Sequence, residues 1–216
     1  WDYGFSELSA AHRAAIQHSR RVANPGCHAT GFISSVYPLV QAGLIAPDEF
    51  LTCFSLTGYS GGGKKMIAQY ESAEKPAAFC SPRIYGLNQS HKHLPEMQKI
   101  CGLTTAPAFS PIVDDYYKGM ATTIALPKAA EAVHDALAEH YKGAKLVKVH
   151  PLGWDESMVA ANTNAGLDSL TLIVNGNSER CTVTALFDNL GKGASGAAVQ
   201  NMNLMLGFDE TDGLHL

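Results

Sequence analysis

Two β-prone segments near the end of the chain constrain its fold more than any other feature. Residues 169–174 and 181–187 are rich in Leu, Ile, Val, Thr and Phe, and Asn175-Gly176-Asn177 lies between them. An Asn-Gly pair between two such segments favours a tight hairpin turn, because both residue types tolerate positive φ. A hairpin requires antiparallel pairing, so the chain is predicted to contain a sheet that is at least partly antiparallel.

Predicted helices and strands alternate along the rest of the chain. Apolar residues at three- and four-residue intervals indicate a helix over residues 127–143. Further helices are predicted over residues 6–21, 27–43, 66–72, 95–101 and 195–206, and further strands over 51–59, 78–85, 109–113, 119–126 and 145–149. This mixture predicts an α+β fold, with a mixed, largely antiparallel sheet and helices on one face.

Composition and charge narrow the class of protein. The chain has 216 residues, of which 46% are hydrophobic and 17% charged, as expected for a globular protein with a sizeable core. Its net charge is −4 and it has no Lys/Arg stripe, which argues against nucleic acid as a partner. It shows no apolar run long enough to span a membrane and no signal peptide. Five widely spaced cysteines without a CxxC pair indicate reduced thiols and a cytoplasmic location.

One cysteine stands at the start of the second predicted helix. Asn24-Pro25-Gly26 forms a turn signal directly before Cys27. The first turn of a helix has unpaired backbone N–H groups and the positive end of the helix dipole, and both favour a thiolate. A thiolate is the form of cysteine that attacks carbonyl carbon, so Cys27 is a candidate nucleophile. The alternative is a small buried residue beside a turn.

His91 and His93 form a His-x-His pair that could assist this cysteine. Histidine titrates near neutral pH, so it can take the thiol proton and later return one. Glu96 follows closely and could orient one of the two rings. A zinc site and two surface histidines are the alternatives, although zinc would need further ligands that are not evident.

Two glycine-rich segments are candidate ligand sites. Residues 191–196 match GxGxxG between a predicted strand and a predicted helix, but a dinucleotide-binding unit needs another strand afterwards, and only residues 207–216 follow. This segment is therefore predicted to approach a ligand through backbone N–H groups without forming a Rossmann fold. Residues 60–65 carry two lysines that could hold a phosphate, with Arg83 as another anion partner, although a solvated loop is the commoner meaning.

Six motifs occur in a fixed order along nearly the whole chain. They are Tyr-Gly-Phe-Ser-Glu-Leu at 3–8, Asn-Pro-Gly-Cys-His-Ala-Thr-Gly at 24–31, Ser-Gly-Gly-Gly at 60–63, His-Lys-His-Leu-Pro-Glu at 91–96, Phe-Ser-Pro-Ile-Val at 109–113 with Lys-Gly-Met at 118–120, and the segment 188–203. Together they resemble the N-acetyl-γ-glutamyl-phosphate reductase family of the arginine pathway. Two departures are Lys64, where the family usually has arginine, and Trp1-Asp2 before the first motif.

The resemblance implies a domain organisation. Residues 1–187 would form the substrate-binding and catalytic domain, with a fold similar to the C-terminal domains of semialdehyde dehydrogenases and glyceraldehyde-3-phosphate dehydrogenase. Residues 188–216 would pack back toward an NADP-binding domain. The chain begins at Trp1 without an initiator Met, so that domain is expected to precede it in a longer protein.

The resemblance also implies a reaction and the residues that perform it. Cys27 would attack an acyl phosphate and expel phosphate, and NADPH would reduce the resulting thioester to the semialdehyde, with His91 as acid/base. The residues implied in substrate binding are His93, Glu96, Ser60, Gly61, Lys64 and Arg83, and those implied in cofactor contact are Asn189, Gly193 and Ala194. The expected cofactor is NADP, no metal is expected, and the protein is expected to be a homo-oligomer with a small-molecule substrate and no nucleic-acid or membrane partner.

Two alternatives to this function remain open. The chain could belong to a reductase of a related acyl phosphate, in the aspartate-semialdehyde or aminoadipate pathway. As an isolated piece it could instead be an inactive module that binds substrate or dimerises, because its GxGxxG has no Rossmann context.

Overall fold

The computed structural model describes residues 1–155 and 157–216. Within them, the main sheet has seven strands in the spatial order β4-β5-β3-β6-β9-β8-β7. The strands in chain order are Thr52–Gly58 (β3), Arg83–Ile84 (β4), Ala108–Asp114 (β5), Met120–Leu126 (β6), Val147–Val149 (β7), Leu170–Gly176 (β8) and Cys181–Phe187 (β9). A separate parallel pair is formed by Asp2–Tyr3 (β1) and Val22–Ala23 (β2).

Most neighbouring strands of the main sheet are antiparallel. The pairs β3–β5 and β7–β8 are parallel, and the other neighbours run antiparallel. Strands β8 and β9 form the predicted hairpin, but the turn lies later than predicted. Asn175 and Gly176 still belong to β8 and pair with Thr182 and Cys181, and the connection consists of residues 177–180, closed by a hydrogen bond from the Asn177 N–H to the Arg180 carbonyl. The predicted mixed, largely antiparallel sheet is confirmed.

Six α-helices accompany the sheet in the described residues. They are Ala10–His18 (α1), Cys27–Gln41 (α2), Gly63–Tyr70 (α3), Leu94–Cys101 (α4), Ala130–His140 (α5) and Gly196–Leu206 (α6). The predicted first helix is divided into a 3₁₀ turn over Ser6–Leu8 and helix α1. The division occurs because Ser9 is extended and its Oγ accepts a hydrogen bond from the His12 N–H, which caps a new helix.

The predicted strand over residues 78–85 is wrong. Residues Ala77–Cys80 form a 3₁₀ turn, in which the Phe79 N–H donates to the Pro76 carbonyl, and only the two residues of β4 pair with the sheet. Prolines at positions 76 and 82 lack the N–H that a continuous strand would need in its ladder.

The hydrophobic core lies between one face of the sheet and helices α2, α4 and α5. Helix α2 comes very close to β6, because Gly31 faces Thr122 and has no side chain. A Cβ at Gly31 would lie 2.5 Å from the Thr122 Cβ, so any larger residue would push the helix away. This close approach fixes the start of α2 relative to the sheet.

The opposite face of the sheet is only partly covered. Trp154, Val159 and Ala161 pack over Ile173 and Leu186 near its centre. Toward the β4 edge the same face carries Phe54 and Ile84, which are 49% and 58% exposed. The sheet therefore presents a partly exposed apolar surface on the side away from α2.

The two ends of the chain pack against each other. Helix α6 contacts α1, and the Asn201 side chain donates to the Gly4 carbonyl at 2.9 Å. Gln200 donates to Ser6 and to Glu210, and Arg13 forms a salt bridge with Glu210 (the Gln200–Ser6 distance is 3.0 Å). Residues 188–216 therefore pack beside helix α1. That they would also pack toward a cofactor-binding domain stays a prediction.

None of the helices in the described residues is long and apolar enough to cross a membrane.

Candidate active site

Helix α2 begins at Cys27, and the turn before it is held from two sides. The Gly26 N–H donates to Glu96 Oε1 at 3.0 Å, and the Tyr3 hydroxyl donates to the same oxygen at 2.7 Å. The described residues give this carboxylate no histidine partner. The prediction that Glu96 orients a histidine ring is therefore wrong, because its carboxylate instead fixes the turn that presents Cys27.

The Cys27 sulfur experiences opposing influences. Burial raises the pKa of the thiol, and this outweighs the backbone N–H groups of His28 and Cys27 and the charge of Lys92, which lower the pKa. The expectation of a lowered pKa in the resting site is therefore wrong, because removal of water from the sulfur outweighs the helix start. A base is then needed to form the thiolate.

The two predicted histidines lie together beside this cysteine. Their ring centroids are 4.8 Å apart, and the backbone N–H of His93 donates to Nδ1 of His91 at 3.2 Å. His93 is 7% exposed, and burial, with His91 and Lys92 nearby, lowers its pKa to about 4. Burial and Lys92 also lower the pKa of His91. Both rings are therefore neutral near pH 7 and can accept a proton.

Two cavities meet at the cysteine. The smaller, of about 160 Å³, is lined by Cys27, His28, Tyr85, His91, Lys92 and His93, and by the glycine loop after β3 (residues 59–63). The larger, of about 520 Å³, is lined by the glycine turn after β9 and by part of the loop, and it shares Cys27, Gly61, Lys92 and His93 with the smaller one. The thiol can therefore be approached from two sides.

The glycine turn after β9 packs directly on the cysteine. Residues Gly191–Ser195 form a π-helical turn that leads into α6, and the Gly193 N–H donates to the Asp188 carbonyl at 2.9 Å. A Cβ at Gly193 would lie 3.1 Å from the Cys27 Cβ, so glycine permits this approach. The Ala194 carbonyl accepts from Asn24 at 2.9 Å, which ties the turn to the segment before Cys27.

Asn189 and Ser60 connect this turn to the glycine loop after β3. The Asn189 amide donates to Ser60 Oγ at 3.0 Å and accepts from the Gly119 N–H at 2.9 Å. Asn189 and Ser60 are both buried and line the larger cavity. Because both ends of the amide are bonded, Asn189 positions the loop that carries Gly61.

Three of the predicted substrate-binding residues line neither cavity, namely Glu96, which holds the turn before Cys27, and the two cations Lys64 and Arg83. Lys64 is an exposed residue at the start of α3. The Arg83 guanidinium donates to the Tyr70 hydroxyl at 2.9 and 3.2 Å and lies 3.6 Å from the centre of the Phe79 ring. Aromatic side chains therefore engage this cation outside both cavities. Substrate binding by Glu96, Lys64 and Arg83 stays a prediction.

Three residues of the site were missed by the sequence-based prediction. Lys92 lines both cavities, and its position between the two histidines was a signal that could have identified it. His28 and Tyr85 line the smaller cavity, but their contact depends on the pairing of distant segments. No group of three or more His, Cys, Asp or Glu side chains in the described part of the chain is arranged to hold a metal ion.

Comparison with known proteins identifies relatives for nearly the whole chain. Residues 27–189 match the family described as semialdehyde dehydrogenase, dimerisation domain. The N-acetyl-gamma-glutamyl-phosphate reductase of Sinorhizobium fredii is 44% identical over 95% of this chain and 70% of its own length. N-acetyl-gamma-glutamyl-phosphate reductase 2 of Nostoc sp. is 40% identical over 99% of this chain and 72% of its own length.

Solved structures agree on the fold. Aspartate semialdehyde dehydrogenase II from Vibrio cholerae superposes with a TM-score of 0.71 at 20% identity, over 95% of this chain and 69% of that one. The enzyme from Francisella tularensis gives a TM-score of 0.66 at 11% identity, over 93% of this chain and 70% of that one. These structural similarities show the fold alone. In the sequence relatives, the matched region is the C-terminal part of each protein, and it covers most of this chain. The chain therefore belongs to the N-acetyl-gamma-glutamyl-phosphate reductase family, and residues 27–189 are its semialdehyde dehydrogenase dimerisation domain.

Proposed function

We propose that this chain is the substrate-binding and catalytic part of an NADPH-dependent N-acetyl-γ-glutamyl-phosphate reductase. The observation that carries the proposal is the position of Cys27 where two cavities meet. The smaller cavity adds His91 to the Lys92 and His93 that both cavities share, and the larger cavity adds Gly193, which has no side chain. The relatives' names support the substrate and the oxidoreductase class.

The first half of the reaction uses the smaller cavity. A neutral histidine takes the proton of the Cys27 thiol, and the sulfur attacks the acyl carbon of the acyl phosphate. The bond between that carbon and the phosphate oxygen breaks, phosphate leaves, and a thioester remains on Cys27. The backbone N–H groups at the start of α2 are available to stabilise the developing oxyanion.

We assign the acid/base role to His91. Its ring is half-buried, whereas His93 is nearly enclosed and has a pKa of about 4, which makes it a weak base near neutral pH. The bond from the His93 backbone N–H to His91 Nδ1 orients the His91 ring and keeps the proton of the neutral ring on Nε2, so His91 gives up this bond when it accepts the thiol proton at Nδ1. His93 is therefore assigned to positioning.

Phosphate recognition falls to Lys92 and the glycine loop. Lys92 is exposed at the mouth of both cavities, and Gly61 also lines both. A lysine ammonium and unhindered backbone N–H groups are suitable partners for a phosphate. Lys92 supports this role better than Lys64 or Arg83, since neither of those lines a cavity.

The larger cavity fits a nicotinamide ring. Gly193 and Ala194 form one wall beside Cys27, and the absence of a side chain at Gly193 leaves the thiol accessible from that side. NADPH, when bound, would supply the hydride that reduces the thioester. The residues of this chain would orient the acyl group, keep the Cys27 sulfur in place as a leaving group, and return the proton held by His91.

The half-reaction without cofactor tests this proposal. The chain is mixed with N-acetyl-γ-glutamyl phosphate, and intact-protein mass spectrometry follows the acyl adduct while released phosphate is measured. We expect stoichiometric acylation of Cys27, no adduct in Cys27→Ser, and normal acylation in Cys80→Ser, whose cysteine lies outside both cavities. Absence of an adduct would overturn the proposal. Faster acylation by β-aspartyl phosphate or an aminoadipyl phosphate would favour the related reductases.

We also propose that this chain by itself reduces its substrate very slowly. In the described residues no strand follows α6, so the GxGxxG turn is not part of a dinucleotide-binding βαβ unit. As an isolated piece the chain would then bind and acylate without efficient reduction. Appreciable NADPH oxidation by the purified chain would contradict this expectation, whatever the acylation result.

A further inference from the structure

One row of hydrogen bonds, called the file below, runs from the smaller cavity into the core through the buried or half-buried side chains of Tyr85, His28, Ser55 and Thr122. His28 follows Cys27 on α2 and is 2% exposed. Its Nε2 lies 2.6 Å from the Tyr85 hydroxyl, and its Nδ1 lies 2.7 Å from Ser55 Oγ. Ser55 Oγ lies 2.8 Å from Thr122 Oγ1. The reaction described above assigns no role to these groups.

The inner end of the file determines the direction of its hydrogen bonds. Thr122 is fully buried, and among residues 1–155 and 157–216 its hydroxyl has no hydrogen-bond partner except Ser55. If Thr122 accepted the bond, its own proton would be buried without an acceptor, which is costly. Thr122 therefore donates to Ser55.

The remaining bonds follow from the number of protons available. The single Ser55 proton is left to donate to His28 Nδ1, since Ser55 already accepts from Thr122. Burial, together with His93, His91 and Lys92, lowers the pKa of His28 well below its ordinary value, so the ring carries one proton. With Nδ1 accepting, that proton lies on Nε2 and is donated to the Tyr85 oxygen.

Tyr85 is then left with a proton that no group in the file accepts. Tyr85 lines the smaller cavity together with Cys27. Burial, and then the charge of Cys27, raise the pKa of Tyr85, so the phenol keeps its proton at neutral pH. The proton can point only toward the cavity.

We propose that the Tyr85 hydroxyl donates a hydrogen bond to the acyl oxygen of the group attached to Cys27, and that Thr122, Ser55 and His28 aim its proton. The nature of the acyl ligand rests on the proposed function, but the direction of the file does not. Tyr85 would stabilise the charge that develops on this oxygen during attack and reduction. His28, Ser55 and Thr122 would act as positioning residues.

The tautomer of His28 gives a direct test that is independent of activity. In the ¹⁵N-histidine-labelled chain at neutral pH, long-range ¹H–¹⁵N spectra distinguish the protonated ring nitrogen from the unprotonated one. The His28 signals are assigned by their change in Ser55→Ala. We expect a neutral ring with the proton on Nε2. A proton on Nδ1, or a doubly protonated ring, would overturn the proposal.

Acylation kinetics test the role of the donor. In Tyr85→Phe we expect the rate of Cys27 acylation to fall about 100-fold, as when one oxyanion donor is removed, with little change in the concentration dependence. Tyr116→Phe is the matched control, because that hydroxyl has no partner in the described residues and lines neither cavity. An unchanged rate in Tyr85→Phe would overturn the proposal.

Two variants of Thr122 separate the orientation of the Tyr85 proton from a general effect on the structure. Thr122→Val removes the donor that sets the direction, so His28 should show both tautomers and acylation should slow several-fold, while Thr122→Ser should restore both properties. A His28 tautomer unaffected by Thr122→Val would contradict the proposed direction of the hydrogen bonds in the file. If the wild-type chain is not acylated by any acyl phosphate, the proposed function fails, whereas the His28 tautomer still decides the direction.

Discussion

At the scale of single residues, burial decides the chemistry of the site. The same helix start that offers N–H groups to Cys27 also removes water from its sulfur, and the second effect is larger. Burial likewise keeps the histidines neutral and the Tyr85 phenol protonated. The resting site therefore holds a protonated Cys27 thiol and a protonated Tyr85 phenol beside neutral histidines.

The pH dependence of Cys27 labelling follows from this balance. A raised pKa means that little thiolate exists at pH 7, and that the thiolate fraction grows as the pH rises above the ordinary value of 9.0. We expect iodoacetamide to label Cys27 more slowly than the exposed Cys80 at neutral pH, and the Cys27 rate to increase beyond pH 9. Peptide mass spectrometry of the labelled chain measures both rates. A Cys27 rate that is already maximal below pH 8 would contradict the raised pKa.

Removal of the lysine between the histidines should weaken phosphate recognition. A charged hydrogen bond contributes about 1.5–3 kcal/mol, so we expect Lys92→Met to lower the second-order rate of acylation about 10- to 100-fold. Lys64→Met removes the same charge outside both cavities and should have little effect. Acylation rates at increasing acyl-phosphate concentration provide the comparison, and a larger loss in Lys64→Met would transfer the phosphate role to Lys64.

At the scale of elements, the site depends on close packing between helix α2, strand β6 and the turn before α6. Gly31 lets α2 approach β6, and Gly193 lets the turn approach Cys27. These contacts place Cys27, the file that ends at Tyr85 and the larger cavity within one small region. Two glycines thus determine how closely the elements that carry the candidate site approach one another.

A side chain at Gly31 should destabilise the protein. Overpacking of a dense core typically costs about 1–3 kcal/mol, and we expect Gly31→Ala to lower the free energy of unfolding by an amount in this range. Urea denaturation measures it. Thr122→Gly removes both Thr122 atoms that the new Cβ meets, so the loss should be smaller in the double variant than the sum of the single losses. Additive losses would show that the contact with Thr122 is not the cause.

The sequence predicted elements whose signals are local, and it missed what depends on distant pairing. Helix α5 and the β8–β9 hairpin were predicted because periodicity and turn-forming residues are contained within a few residues, although the turn itself lies at residues 177–180 and not at Asn175-Gly176. The parallel pairing of β3 with β5 has no local signal. For the same reason Cys27, His91 and His93 were predicted from their motifs. The contact of His28 with Tyr85, 57 residues away, could not be predicted.

At the scale of the whole molecule, the apolar face of the sheet suggests how copies of the chain associate. Phe54 and Ile84 lie exposed on this face, away from the active site on the other side. An apolar surface of this kind favours association with a second apolar surface. The family's description as a dimerisation domain supports a homo-oligomer.

A charge on this face should dissociate the oligomer. We expect Phe54→Lys to shift the chain toward monomer in size-exclusion chromatography with light scattering, because burial of an unpaired ammonium opposes association. Phe208→Lys is the matched control, since Phe208 is 60% exposed but lies in the C-terminal segment. Equal dissociation by both variants, or a monomeric wild type, would show that the Phe54 face is not the interface.

The packing of the two chain ends has a consequence for how the protein is made. Gly4 is held by Asn201, 197 residues later, and Arg13 is held by Glu210. Contacts of such long sequence separation form late, because a long loop must close before they contribute. During synthesis the contacts of Gly4 and Arg13 with the C-terminal segment can therefore form only after residue 210 has left the ribosome, and until then the surface of α1 that packs on α6 is available to chaperones.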